Sequence, residues 1–88
     1  MLGYHAAYYR GESGWIVAKA LDFPGALSQG RTLNSARRMI RDALRLMAET
    51  LIEEGEPLPL PKARVKDKKA IYQETISIRI HLPAGVKS

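Results

Sequence analysis

Two histidines and nine carboxylates are the groups of this chain that could move protons or hold a metal. Asp22, beside the Pro24-Gly25 turn, could serve as one ligand of a Mg²⁺ ion that hydrolyses phosphodiesters. That chemistry needs several carboxylates converging on one ion. The other acids are Glu12, Asp42, Glu49, Glu53, Glu54, Glu56, Asp67 and Glu74. Asp42, Glu49 and Glu53 can share one helical stripe, but no spacing brings any of them to Asp22. Asp22 therefore reads as a turn former. His5 and His81 would meet if the first and last strands paired. Two imidazoles alone do not make a zinc site, and neither H-x-x-x-H nor H-E-x-x-H spacing occurs. A histidine base would also need a nucleophile and an orienting group, and none stands out. Both histidines read as strand-surface residues. Ser13, Ser28 and Ser35 lie in no nucleophile motif, and the glycines form no phosphate loop. The sequence thus predicts no catalytic residue, no metal site and no cofactor.

Cations offer a second kind of chemistry. Net charge is +5 and the sequence pI is about 9.8. Arg37, Arg41 and Arg45 recur at i, i+4 and i+8 on a predicted helix. Lys62, Arg64 and Lys66 begin a basic connection, K-A-R-V-K-D-K-K, over residues 62–69. Facing one way, the two groups would make a phosphate-binding patch with steep salt dependence. The plainer reading is a solvated helix face with weak Arg38–Asp42 and Arg45–Glu49 pairs. Tyr8, Tyr9 and Trp15 could stack on bases, although no RNP-type signature accompanies them.

The elements that must position these groups follow from periodicity. Leu2 to Arg10 reads as a strand ending in the hairpin quartet Gly11-Glu12-Ser13-Gly14. Trp15 to Leu21 returns, with Ile16, Ala18 and Ala20 on one face and Trp15, Val17 and Lys19 on the other. Asp22-Phe23-Pro24-Gly25 fits a type II turn, with Pro24 fixing φ and Gly25 supplying φ > 0. Ala26 to Gln29 is a short third strand. Thr32 is an N-cap. After it, Leu33, Ala36, Ile40, Ala43, Leu44, Met47 and Leu51 form one apolar stripe, widened by Met39 and Leu46. Gly55 is the expected C′ residue, and Pro57, Pro59 and Pro61 forbid continuation. Ala70 to Leu82 alternates as a last strand, and residues 84–88 read as a loose tail.

The expected architecture is α+β: a β-β-β-α-β unit with a four-stranded mixed sheet and one helix on one face. A right-handed crossover would set the last strand parallel to the first. With 88 residues the chain fits a single domain with a thin core. One helix leaves the other sheet face bare, which predicts a homodimer, a larger homo-oligomer or another partner. There is no cysteine, no apolar run of about 20 residues and no signal-peptide pattern. These features fit an ordinary cytoplasmic protein without a membrane partner.

Gly14-Trp15, Asp22-Phe23-Pro24-Gly25, Ser28-Gln29-Gly30, Thr32-Leu33 with Ala36, and the exit Glu54-Gly55-Glu56-Pro57-Leu58-Pro59 occur in the order found in one known family. Over roughly Tyr4 to Pro61 the chain resembles the HicB-like antitoxins of bacterial toxin–antitoxin systems. The resemblance implies a truncated ribonuclease-H-like fold without nuclease activity. It also implies masking of HicA, a small RNA-cleaving toxin that resembles a double-stranded-RNA-binding domain, and oligomerisation. Many members add a helix-turn-helix or ribbon-helix-helix domain that binds operator DNA, whereas these 88 residues are expected to hold one domain. Asn34-Ser35 follow Thr32-Leu33 where the family often has an acid, so the reciprocal half of a capping box is missing. The expected partner-binding residues are the strand positions Tyr8, Trp15, Lys19, Arg79 and His81. The alternative, nucleic-acid binding, would use Arg37, Arg41, Arg45, Lys62, Arg64 and Lys66.

Overall fold

A computed structural model describes residues 2–80. His81, the expected strand end at Leu82 and the tail 84–88 lie outside them. The order is β1 (Leu2–Arg10), a 3-10 turn (Glu12–Gly14), β2 (Ile16–Ala20), β3 (Leu27–Gly30), α1 (Leu33–Glu53) and β4 (Tyr72–Ile78). This is the expected α+β succession.

The sheet runs β3-β2-β1-β4, and every neighbouring pair is antiparallel. The expected mixed sheet, with its last strand parallel to the first, is therefore corrected. Leu2 stands opposite Ile78, and Tyr8 opposite Tyr72. The physical reason is the connection after α1. The helix descends the length of the sheet, and residues 57–71 then climb back up before β4 begins. A parallel last strand would have started directly at the foot of the helix.

Local chemistry sets each boundary. The Thr32 hydroxyl accepts the Ser35 N–H at 3.0 Å and starts α1. At the other end Gly55 has φ 75°. Its N–H donates to the Ile52 carbonyl at 3.0 Å, and the Glu56 N–H donates to the Leu51 carbonyl at 2.8 Å. This Schellman pattern closes the helix. The Ala26 N–H donates to the Phe23 carbonyl at 3.1 Å, with Gly25 at φ 87°, completing the expected type II turn.

Ala36, Ile40, Leu44 and Ala48 of α1 bury against Tyr4, Ala6, Tyr8, Ala18, Ala20, Ile76 and Ile78 of the sheet. Truncating Leu44 to alanine would cost about 2–5 kcal/mol. Alanines in the middle of β1 and β2 let the helix sit close. Gly30 takes this furthest: a Cβ there would lie 2.4 Å from the Ala36 nitrogen and 2.6 Å from Ser35 Oγ. Phe23 meets Tyr4 edge-to-face, with centroids 4.9 Å apart. Met39 and Leu46 do not join the stripe, being 45% and 65% exposed. At about 100° per residue they fall on the helix flank, and Ala48 fills the buried row instead.

The second sheet face is covered over β1 and β4, which corrects the expectation of a wholly bare face, while Lys19, Leu27 and Gln29 on its β2–β3 half stay exposed. Residues 62–69 cross it as a strap. Gly3, His5, Ala7 and Tyr9 alternate away from the helix. Tyr9 donates to Asp67 Oδ2 at 2.8 Å, and the Gln73 amide donates to the Val65 carbonyl. Ala7, between His5 and Tyr9, is fully buried.

Candidate functional site

Asp22 fixes the start of the strap. Its side chain is inaccessible, and its two oxygens serve three donors. Oδ1 accepts the His5 backbone N–H at 2.8 Å. Oδ2 accepts His5 Nδ1 at 2.8 Å and the Lys62 backbone N–H at 3.1 Å. Burial pushes this carboxyl up, but the hydrogen bonds from His5 and Lys62 outweigh burial and hold it below the usual carboxylate range. An ionised carboxylate only accepts, so His5 donates from Nδ1 and leaves Nε2 without a partner among the described residues. Beyond turning the chain, Asp22 ties β1, the β2–β3 turn and the strap together. Sequence reading missed this link, because the partners lie 17 and 40 residues away.

Above this junction a groove of about 330 Å³ opens between the strap and the sheet. His5, Lys66, Asp67, Lys68, Gln73 and Thr75 line it, with Glu74 behind. The acids are already engaged. Asp67 accepts from the Lys69 N–H and the Tyr9 hydroxyl, which hold its carboxyl below the usual range. Burial first, then the Asp67 hydrogen bond, raises the Tyr9 phenol to about 12. Glu74 Oε2 accepts the Tyr8 hydroxyl at 2.6 Å and Arg37 Nε at 2.5 Å. Burial first, then the contact with Glu74, pushes Tyr8 upward. Lys66 and Lys68 are exposed, and their ammonium groups enter no ion pair among the described residues.

A different groove, of about 490 Å³, lies at the foot of the helix. Phe23, Pro24, Leu46, Met47, Leu51 and Pro59 form its walls. Glu53 falls on the Leu46 stripe at i+7, and Glu54 and Glu56 follow in the exposed exit. These carboxylates do not line the groove, whose walls are apolar apart from Thr50. Among the described residues no three His, Cys, Asp or Glu side chains come together as a metal site.

The expected partner residues are dispersed. Tyr8 is fully buried on the helix side and stacks on Tyr72 at 5.9 Å, so its placement as an exposed contact is corrected. Trp15 is half-buried beneath the Arg31 guanidinium, 4.3 Å from the ring centroid. Lys19 is exposed on the strap side of β2, and Arg79 is exposed just past β4. His81 lies outside the described residues. The nucleic-acid set splits. Arg37 is held by Glu74 and Asn34, while Arg41 and Arg45 are exposed on α1. Lys62, Arg64 and Lys66 belong to the strap across the opposite face, so the two groups form no common patch.

No family model matches the sequence, and no curated protein matches it. Solved structures do match. The N-terminal domain of the Burkholderia pseudomallei antitoxin HicB superposes with a TM-score of 0.76 at 24% identity, covering 90% of this chain and 100% of that one. The longer B. pseudomallei HicB structure gives 0.78 at 23% identity, covering 100% of this chain and 72% of that one. A chain of a HicA3–HicB3 toxin–antitoxin complex gives 0.66 at 20% identity, covering 89% and 99%. The chain has the fold of the HicB N-terminal domain.

Proposed function

We propose that this fold serves here as a non-catalytic antitoxin module that sequesters a small HicA-like RNA-cleaving toxin. The observation that carries the reading is the shared fold, one instance of which occurs in a toxin–antitoxin complex. Charge supports it. A toxin that grips RNA needs a basic surface for phosphates. Glu53, Glu54 and Glu56, exposed together at the helix exit, would meet such a surface, and the apolar groove between Phe23, Leu46 and Pro59 would take an apolar side chain beside them. Leu46 would supply a central apolar anchor, and the strap would stay clear of the toxin. Trp15, Lys19 and Arg79 surround other faces and would contribute at most at the margin. Self-association belongs to the same reading and would use the open edge of β3, where Leu27 is exposed. The described helix is not apolar enough to cross a membrane, in keeping with a module that meets its partner in water.

The test is co-expression with the product of the adjacent small gene, followed by size exclusion with light scattering and an RNA-cleavage assay. A stable hetero-complex with silenced cleavage is the expected result. Elution of the chain apart from a fully active toxin would sink the proposal.

A further inference from the structure

We infer that the groove between the strap and the sheet binds the ribose-phosphate backbone of single-stranded RNA. The site is separate from the helix-end groove and does not depend on the antitoxin reading. Its wall carries two kinds of unmet demand. Lys66 and Lys68 are exposed cations without an ion-pair partner among the described residues. His5 lines the groove and is held through Nδ1 by buried Asp22, which leaves Nε2 without a partner among the described residues and, in the neutral ring, an acceptor. A phosphate answers the lysines, and a 2′-hydroxyl answers Nε2. Ribose phosphate carries both within one nucleotide.

Other ligands fit less well. An acidic peptide would neutralise the lysines, but its carboxylates donate nothing to Nε2. DNA lacks the hydroxyl, which is the group that distinguishes RNA at a protein site. The volume, about 330 Å³, accommodates one nucleotide-sized group. Cations continue along the strap at Lys62, Arg64 and Lys69, so a strand suits the surface better than a free nucleotide. Thr75 adds a hydroxyl to the wall.

The experiment is fluorescence anisotropy of the whole chain with a labelled single-stranded RNA, and with DNA of the same sequence, at several salt concentrations. Wild type is expected to prefer RNA by about fivefold, the worth of one added hydrogen bond. The double variant Lys66→Ala/Lys68→Ala should weaken both ligands and reduce the slope of log K on log salt by about 1.4, two phosphate contacts. His5→Asn keeps a donor for Asp22 and removes Nε2, so it should equalise RNA and DNA while leaving the salt slope unchanged. Equal binding of RNA and DNA by wild type would overturn the inference. So would competition by poly-glutamate as strong as that by RNA, or an unchanged salt slope in the lysine variant. Should His5→Asn fail to fold, the lysine variant decides alone, because both side chains are exposed. Absence of binding at low salt would refute the inference outright.

Discussion

The helix-end groove and the strap groove share a wall-builder and differ in almost everything else. The connection after α1 lends Pro57 and Pro59 to the first and Lys66, Asp67 and Lys68 to the second. One has apolar walls; the other is lined by polar and charged side chains, with two lysines that enter no ion pair among the described residues. A net charge of +5 describes neither. What a partner meets is the local field, which falls off over about 8–10 Å in physiological salt. A basic chain can therefore still carry a local acidic stretch, Glu53, Glu54 and Glu56, at the exposed helix exit.

The two regions should respond separately to substitution. The largest effect is expected from Asp22→Ala, which leaves three donors without their acceptor. A loss of about 3 kcal/mol follows from breaking a buried charged cluster. At roughly 4–8 °C per kcal/mol for a domain of this size, melting should fall by more than 10 °C. Stronger hydrogen exchange at residues 62–69 than at the helix would locate the damage. If melting is unchanged, the junction does not anchor the strap.

The same carboxyl gives a pH dependence. Its folded pKa lies below the unfolded value of 3.8. Its contribution is therefore complete above pH 3.8 and disappears as pH falls through the lower folded value. Tyr9 behaves oppositely. Its phenol rises from 10 to about 12, so its contribution is intact below pH 10 and fades between pH 10 and 12. Chemical denaturation across both windows would show the two limbs, and Asp22→Ala should reduce only the acid one, leaving the part that comes from Asp67.

Next in size is Leu46→Arg. The side chain is exposed, so stability should change by less than about 0.5 kcal/mol. Toxin binding should weaken by about 2 kcal/mol or more, roughly thirtyfold, because an apolar anchor is lost and a like charge is added. Calorimetric titration measures it, and RNA binding at the strap should be untouched. Tyr9→Phe is smaller, about 1 kcal/mol, and should loosen the strap without altering toxin affinity. Arg45→Ala should be nearly silent in both assays, at most about 0.5 kcal/mol. Its Asp42 contact is 3.8 Å long and solvent-exposed.

Much of the frame was legible in the sequence. Thr32, Gly25 and Gly55 act locally, through caps and turns whose chemistry is written within five residues. The helix stripe was legible for the same reason, apart from Met39 and Leu46, whose apolar character outweighed their angle. The direction of β4 was not legible. A crossover rule assumes that the helix is the whole crossover, and here fifteen further residues run back along the sheet. The strap groove was hidden because it depends on contacts such as Asp22–Lys62 and Tyr9–Asp67, 40 and 58 residues apart. Tyr8 was misplaced because alternation defines two faces but does not say which one the helix covers.

The clamp at Asp22 also has a consequence for proteolysis. Five of trypsin's preferred residues lie between positions 62 and 69, yet that segment is held at Lys62 by Asp22, at Val65 by Gln73 and at Asp67 by Tyr9. Cleavage there has to wait for those fastenings to release together. The nicking rate then becomes a clock for local opening, and ligands on the strap would slow it while ligands at the foot of the helix would not.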